Sequence, residues 1–429
     1  MPEHGPASGA VVASDPVPAP GGRAGRDVAA VTVVGIGADG WAGLTEPARA
    51  ALGAAEVLFG SARQLALLPA DPGPDRVVWP SPLLPALPGL LDAYAGRALA
   101  VLASGDPMFF GIGTTLVRLL GPDRVRVVPH PSSVSLACAR LGWPVEETEV
   151  VSLVGRPLEL LHRAVHPGRR LLVLGADGRA PAAVADLLTA RGYGGSGLTV
   201  LESLGGPDER VHHGTAGRWG ERTAGPLHIV AVECRADPDA VRLPPVPGLP
   251  DDAYEHDGQL TKREVRAITL AGLAPLPGEL LWDVGAGAGS IAIEWSRVHP
   301  SCRAVAVERD PERAARIGRN AAALGVPGLR VVVGAAPEAL DGLEPPDAVF
   351  VGGGLTAPGL VDRCWRALRP GGRLVATAVT LESERLVGEA YARHGGDLTR
   401  IAVNRAAPVG GFTGWRAALP VTQWTVVKR

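Results

Sequence analysis

The apolar run Leu281-Trp282-Asp283-Val284 passes without a break into Gly285-Ala286-Gly287-Ala288-Gly289, and Ser290 to Arg297 then carry helical spacing. A strand that turns through three alternating glycines into a helix leaves little freedom. It demands a buried strand, backbone bare enough for a ligand to approach, and a helix N-terminus whose free N–H groups face that ligand. The spacing is GxGxG, whereas a dinucleotide fingerprint would need its third glycine where Ser290 stands. This favours S-adenosylmethionine over NAD. The next strand, Ala304 to Val307, ends in Glu308, where a carboxylate can accept hydrogen bonds from both ribose hydroxyls of an adenosyl group.

Similar alternation of short apolar runs with helical patterns recurs in two units of the 429-residue chain. Ala30–Gly35, Ala98–Ala103, Val125–Val128, Leu171–Leu174 and Leu227–Val232 read as strands in a first unit, with helices over Pro47–Leu52 and Pro181–Arg191. A second unit has strands at Leu280–Val284, Ala304–Glu308, Leu329–Val333, Ala348–Val351, Arg373–Thr377 and Thr422–Lys428, with a helix over Pro311–Leu324. The expectation is an α/β protein with mostly parallel sheets and ligands at the carboxyl ends of strands. Pro238, Pro244, Pro245, Pro247 and Pro250 mark residues 236–250 as a linker with little to bury. Residues 1–27 are Gly, Pro, Ala and Ser without apolar periodicity, and read as a disordered tail. The domains are therefore expected at 28–235 and 251–429.

A formal net charge of −2 argues against a partner bound through its phosphate backbone. No apolar run approaches a membrane span, and a cytoplasmic location is expected. Cys138, Cys234, Cys302 and Cys364 form no CxxC pair and read as reduced core residues. His162 and His166 have the spacing of zinc ligands on one helix face but no third ligand, so no metal is expected.

The first unit carries its own glycine run, Gly35-Ile36-Gly37-Ala38-Asp39-Gly40, a full GxGxxG match, with Glu56 near the place of a ribose acid. Alone it would suggest NAD. A dinucleotide fold begins its helix inside the glycine run, however, and here the helix waits for Thr45, an N-cap before Glu46 and Pro47. The helix dipole would then miss a pyrophosphate.

In the second unit, Gln259-Leu260-Thr261-Lys262-Arg263-Glu264-Val265-Arg266, Gly334-Ala335-Ala336-Pro337-Glu338-Ala339-Leu340 and Val351-Gly352-Gly353-Gly354 accompany the glycine loop. With Asn404-Arg405 to Gly411 and Pro420-Val421-Thr422-Gln423-Trp424, they make this unit resemble the class I, Rossmann-like methyltransferases, and among them the decarboxylating enzymes of cobalamin biosynthesis. The resemblance implies S-adenosylmethionine contacts from Thr261, Gly285, Ala286, Gly287, Ala288, Gly289, Glu308, Gly334, Ala335 and Ala336. Thr261-x-x-Glu264 also reads as a capping box opening a helix from Lys262 to Leu273. Lys262 is one of two lysines beside 40 arginines, so a small mobile ammonium is a candidate catalytic group there.

The first unit resembles the two-lobed tetrapyrrole methylases through Gly35 to Gly40 with Leu44-Thr45, Ala103-Ser104-Gly105-Asp106-Pro107-Met108-Phe109-Phe110-Gly111-Ile112-Gly113, Val128-Pro129-His130-Pro131-Ser132-Ser133 and Glu209 to Thr215. His130 departs from the glycine that most such sequences carry. This resemblance implies a second S-adenosylmethionine site at Gly105, Asp106, Pro107, Ser132 and Ser133, with Gly35, Gly37 and Gly214 as further contacts.

Both methyltransferase types on one chain resemble the bifunctional precorrin methyltransferases. That pairing implies methylation at carbons 5 and 15 of a reduced precorrin and loss of carbon dioxide from its ring C acetate. The expected partners are an anionic tetrapyrrole and further copies of the chain, not nucleic acid or membrane. Three alternatives stand beside this reading: a class I RNA methyltransferase with a noncatalytic first domain, an NAD oxidoreductase, and a tetrapyrrole carrier.

Overall fold

The computed structural model describes residues 30–70 and 73–429. The expected tail of residues 1–27 lies outside the described residues. The chain divides into one unit comprising residues up to Arg156 with Gly168–Pro238, and another comprising Pro157–Pro167 with Asp239–Arg429.

In the first unit, Val31–Ile36 (β1), Val57–Gly60 (β2), Asp75–Val78 (β3), Leu99–Ser104 (β4) and Val125–Val128 (β5) form a wholly parallel sheet in the order β3-β2-β4-β1-β5. Its central strands are apolar at successive positions because both faces are covered. Val31, Val33, Phe59 and Val101 enter one core; Val34, Ile36, Leu58 and Leu102 enter the other. A second sheet contains Thr148–Ser152 (β6), Arg170–Leu174 (β7), Gly197–Glu202 (β8), Arg210–Thr215 (β9) and His228–Glu233 (β10), ordered β6-β7-β10-β8-β9. Only β6 and β7 pair in parallel; the other pairings are antiparallel. This one sheet departs from the expected parallel pattern, which the first sheet follows throughout, because an apolar run such as Leu171-Leu172-Val173 carries no sign of its direction.

The second unit holds Leu280–Val284 (β11), Arg303–Glu308 (β12), Arg330–Val333 (β13), Ala348–Val351 (β14), Arg373–Ala378 (β15), Asp397–Ile401 (β16), a separate hairpin of Asn404–Val409 (β17) and Phe412–Ala417 (β18), and Val421–Val427 (β19). The main sheet runs β13-β12-β11-β14-β15-β19-β16, parallel from β13 to β15 and antiparallel beyond. Successive residues of β11 feed opposite cores. Leu280, Trp282 and Val284 pack on one side, Leu281 on the other. Strand order reverses at β11 and β14, which puts the glycine loop at the topological switch point, where open sheets of this kind bind ligands.

Two expectations need correction here. Residues 236–250 are not a stretch with little to bury: Leu243 and Leu249 pack with Tyr254, Leu260 and Ile293, and Arg297 donates to the carbonyls of Leu243 and Pro244 at 3.2 and 3.3 Å. His162 and His166 share no helix face, because the local structure is a 3-10 turn ending at Arg163. That turn belongs to the second unit, where Arg163 donates to the Arg297 carbonyl at 3.3 Å. All four cysteines are buried. Among the described residues no helix is long and apolar enough to cross a membrane.

Candidate cofactor and substrate sites

In the second unit, the three loop glycines have φ of +71° at Gly285, +58° at Gly287 and +78° at Gly289, a region that side-chain-bearing residues enter only at a cost. Space forbids them as well. A Cβ would stand 2.8 Å from the Gly353 backbone nitrogen at Gly285, 2.9 Å from the Gln259 carbonyl at Gly287 and 2.7 Å from Ile317 at Gly289. The turn is stitched to β12 by the N–H groups of Gly285 and Ala286, both donating to the Val307 carbonyl. It delivers the chain to the helix Ser290–Val298.

Glu308, at the end of β12, is buried, and its Oε2 accepts from Gly287 N at 2.8 Å while Oε1 accepts from Asp310 N at 3.0 Å. A carboxylate has about four lone-pair directions, so two remain for a pair of ribose hydroxyls. Gly334 N donates to the Glu308 carbonyl, which brings the Gly334, Ala335 and Ala336 turn beside the carboxylate. Two residues before Thr261, the Gln259 carbonyl closes on the loop at Gly287. Ala288 is different: its methyl lies in the core with Leu260 and Ile293, so only its backbone belongs to the loop.

The expected capping box at Thr261 is absent. The helix is Arg263–Leu273 with Lys262 as its N-cap and no side-chain cap bond. Thr261 lies outside the helix, where its carbonyl accepts from the buried Arg266 guanidinium. Lys262 Nζ stands 3.9 Å from Asp251 Oδ2, and its side chain is 44% exposed.

Sequence reasoning passed over Asp283, the polar member of an otherwise apolar strand. Its Oδ2 accepts from Ala292 N at 3.0 Å, while Oδ1 is buried without a partner among the described residues. Burial, and secondarily the nearby Glu308 charge, push the Asp283 carboxyl up to about 7 against the opposing Ala292 bond.

In the first unit, loops at the carboxyl ends of β1, β4 and β5 close on one another. A Cβ on Gly35 would lie 2.2 Å from the Gly105 carbonyl, and one on Gly37 would lie 2.7 Å from the His130 ring. Gly105 has φ +60°, and its N–H donates to the Ile36 carbonyl at 3.0 Å. Asp106 accepts from Met108 N at 2.8 Å, and the buried Pro107 holds the loop by accepting from Gly113 N. Ser132 caps the helix Ser133–Leu141, accepting from Ser135 N at 3.1 Å. Gly37, Gly105, Asp106, Ser132 and Ser133 line a cleft of about 550 Å³, a volume that suits a nucleoside-sized ligand. Gly35 lines a smaller neighbouring cavity with His130 and Asp39. Gly214 does not line the cleft; it sits on the edge strand β9, where a Cβ would meet the Trp219 ring.

The dinucleotide reading fails on geometry. A 3-10 turn, Gly40–Gly43, follows the glycine run, and the helix Glu46–Gly53 starts only after Thr45, which caps it by accepting from Ala48 N. Glu56 accepts from Ala98 N at 2.7 Å, at the amino end of β4, the wrong end of the sheet for a ribose. The cleft also presents groups that the sequence did not single out: Arg63, Phe109 and Phe110, and His228, whose Nδ1 is 2.7 Å from the Gly225 carbonyl.

Comparison with known proteins agrees with this geometry. Residues 252–428 match a family model described as a precorrin methyltransferase domain, and residues 30–219 match the tetrapyrrole (corrin/porphyrin) methylases. A Sinorhizobium protein named precorrin-6Y C(5,15)-methyltransferase (decarboxylating) is 49% identical over 398 residues, 93% of this chain and 96% of that protein. Two shorter relatives each match part of the chain. A Salmonella typhimurium cobalt-precorrin-7 C(5)-methyltransferase is 35% identical, over 42% of this chain and 89% of its own length. A Pyrobaculum calidifontis protein named "Probable cobalt-precorrin-6B C(15)-methyltransferase (decarboxylating)" is 38% identical, over 41% of this chain and 93% of its own length. With both halves matched and a relative aligned over nearly its full length, the chain belongs to the family of decarboxylating precorrin-6Y C(5,15)-methyltransferases, which depend on S-adenosylmethionine.

Proposed function

We propose that this chain methylates a reduced precorrin at carbons 5 and 15 and removes carbon dioxide from its ring C acetate, giving precorrin-8X. The observation that carries the reading is the 49% identity to a relative named for both carbons and for decarboxylation, across 96% of its length. The relatives lend no support to an RNA substrate. The first unit acts at carbon 5, and the second at carbon 15 with decarboxylation. Relatives named for one carbon each, matching 42% and 41% of the chain, support such a division. Each unit holds one S-adenosylmethionine, the first in the cleft at Gly105, Asp106, Ser132 and Ser133, the second on the Gly285 to Gly289 loop with Glu308.

S-adenosylmethionine supplies an electrophilic methyl. The reduced macrocycle is electron-rich at its meso carbons and needs no strong base, so the chain's task is in-line positioning and exclusion of water. In decarboxylation the bond from the acetate methylene to its carboxyl breaks, the electron pair passes into the macrocycle, and a proton replaces the carbon dioxide. Lys262, half-exposed at a helix start, orients that carboxylate or supplies the proton. Exposed Phe412, Trp415 and Leu419 on and beside the hairpin β17–β18 suit an assembly of like chains, and a cytoplasmic location fits a pathway of small-molecule biosynthesis. The test is incubation with reduced precorrin-6 and methyl-labelled cofactor. The product should carry two labelled methyls and one carboxyl fewer; a single methyl or a retained carboxyl contradicts the proposal.

A further inference from the structure

The first unit's cleft contains a cation without a counter-charge. Arg63 is the second residue of the helix Ala62–Ala66, just beyond the carboxyl end of β2, and lines the cleft beside the cofactor loops. Its Nη2 donates to Ser104 Oγ at 2.9 Å, and Gln64 Nε2 donates to the same oxygen at 3.1 Å. Among the described residues no carboxylate pairs with Arg63. Partial burial without a counterion depresses its pKa, the sign of a guanidinium that has lost water and gained no anion. The carboxylate lining this cleft, Asp106, is turned to its own loop through Met108 N.

A second feature stands at the same cleft. Phe109 and Phe110 also line it, 40% and 49% exposed, with ring centroids 4.9 Å apart and edge to face. Phe110 has φ +54°, which a side-chain-bearing residue adopts only against strain, and strain of this kind gathers at ligand-binding positions. The Arg156 guanidinium lies 5.2 Å from the Phe110 centroid, a second cation with no carboxylate partner among the described residues.

We propose that Arg63, with the Phe109–Phe110 pair and Arg156, forms the subsite for the tetrapyrrole acid in the first unit: the guanidinium takes a peripheral carboxylate, and the rings pack against the macrocycle. This rests on the carbon 5 reading and names the residues that would serve it. The carboxylate of the cofactor's own amino-acid end is the other source of the same chemistry. An aromatic pair with Arg156 beside one ring, in a cleft that Arg63 also lines, suits a flat polycarboxylate better than a single amino-acid carboxylate.

The full chain carrying Arg63→Gln tests this, with Arg63→Lys as the conservative variant. Loss of one charge-assisted bond should raise KM for the precorrin in carbon 5 methylation about 10- to 100-fold. KM for S-adenosylmethionine should stay within about twofold, carbon 15 methylation and decarboxylation should be unchanged and so report intact folding, and lysine should restore part of the loss. A binding arm needs no turnover: the affinity for uroporphyrin, a stable porphyrin polycarboxylate, should fall in Arg63→Gln and become less sensitive to salt. A rise in the cofactor KM with unchanged porphyrin affinity would assign Arg63 to the cofactor and overturn the proposal. So would wild-type values throughout, leaving a structural contact to Ser104. If wild type binds porphyrin through Arg63 but transfers no methyl, the functional reading fails and the subsite stands.

Discussion

Replacing Glu294 by glutamine removes the charge against which the second unit is clamped. Glu294 is 3% exposed and Arg266 is fully buried, with Arg266 Nε 2.6 Å from Glu294 Oε1. The same carboxylate accepts from Gly248 N at 2.6 Å, Leu249 N at 3.0 Å and the Tyr254 hydroxyl at 2.9 Å. Burial, and then the Glu294 charge, hold the Tyr254 phenol well above its ordinary pKa, so it stays a donor. Glutamine offers one oxygen to these donors and turns an amide NH2 toward the rest. Breaking a buried pair from one side costs about 3–5 kcal/mol. Asp251 Oδ1, 3.2 Å from Arg266 and partly exposed, keeps some of the guanidinium's charge compensated, so about 3 kcal/mol is expected. With a urea slope of ~2 kcal/mol/M, the second unit's unfolding midpoint should fall by about 1.5 M. Because the clamp holds residues 248–262 over the glycine loop, carbon 15 methylation should be lost at urea concentrations that spare carbon 5 methylation. In the double variant with Arg266→Met the two losses should be less than additive by about 1 kcal/mol or more. A Glu294→Gln midpoint within about 0.3 M of wild type, or strict additivity, would refute the clamp.

Asp283 gives a pH signature. Its folded pKa is raised to about 7, while the unfolded chain releases the proton near ~4, so stability should fall as pH rises between those values and level off above. Asp283→Asn should gain on wild type across that window; parallel urea midpoints at pH values below and above it would count against a buried acid. Glu308→Ala should weaken S-adenosylmethionine at the second unit by ~1–3 kcal/mol while carbon 5 methylation survives, and loss of both activities in a folded chain would argue against separate sites. Lys262→Met should retain cofactor binding and slow decarboxylation; wild-type rates would leave Lys262 a helix-start residue only.

What could be read from the sequence was local and conformational. The Gly285 to Gly289 loop was legible because each glycine answers both a positive φ and a blocked Cβ, so the residue type itself records the backbone. Thr45 likewise marked the delayed helix that separates the first glycine run from a dinucleotide site. The rest depends on contacts between distant segments. Arg266 and Glu294 look like solvated charges on two helices until the fold brings them together. The prolines near 244 suggested a loose linker, yet Leu243 and Leu249 are held by the same core. Strand β9 is exposed along its length, so no apolar pattern announced it. Arg63 is one arginine among 40, and only its place in the cleft without a carboxylate distinguishes it.

The division of labour between the units is the central claim, and the carboxyl-terminal segment of the second unit, without its 157–167 turn, tests it most directly. A fragment of residues 239–429 keeps Leu243, Leu249, the Arg266–Glu294 pair, the glycine loop, Glu308 and Lys262. Given reduced precorrin-6 and labelled cofactor, it should yield a product with one methyl gained and one carboxyl lost. Carbon dioxide released instead by a fragment of residues 28–238, or a well-folded second unit that adds a methyl but leaves the ring C acetate intact, would contradict the account.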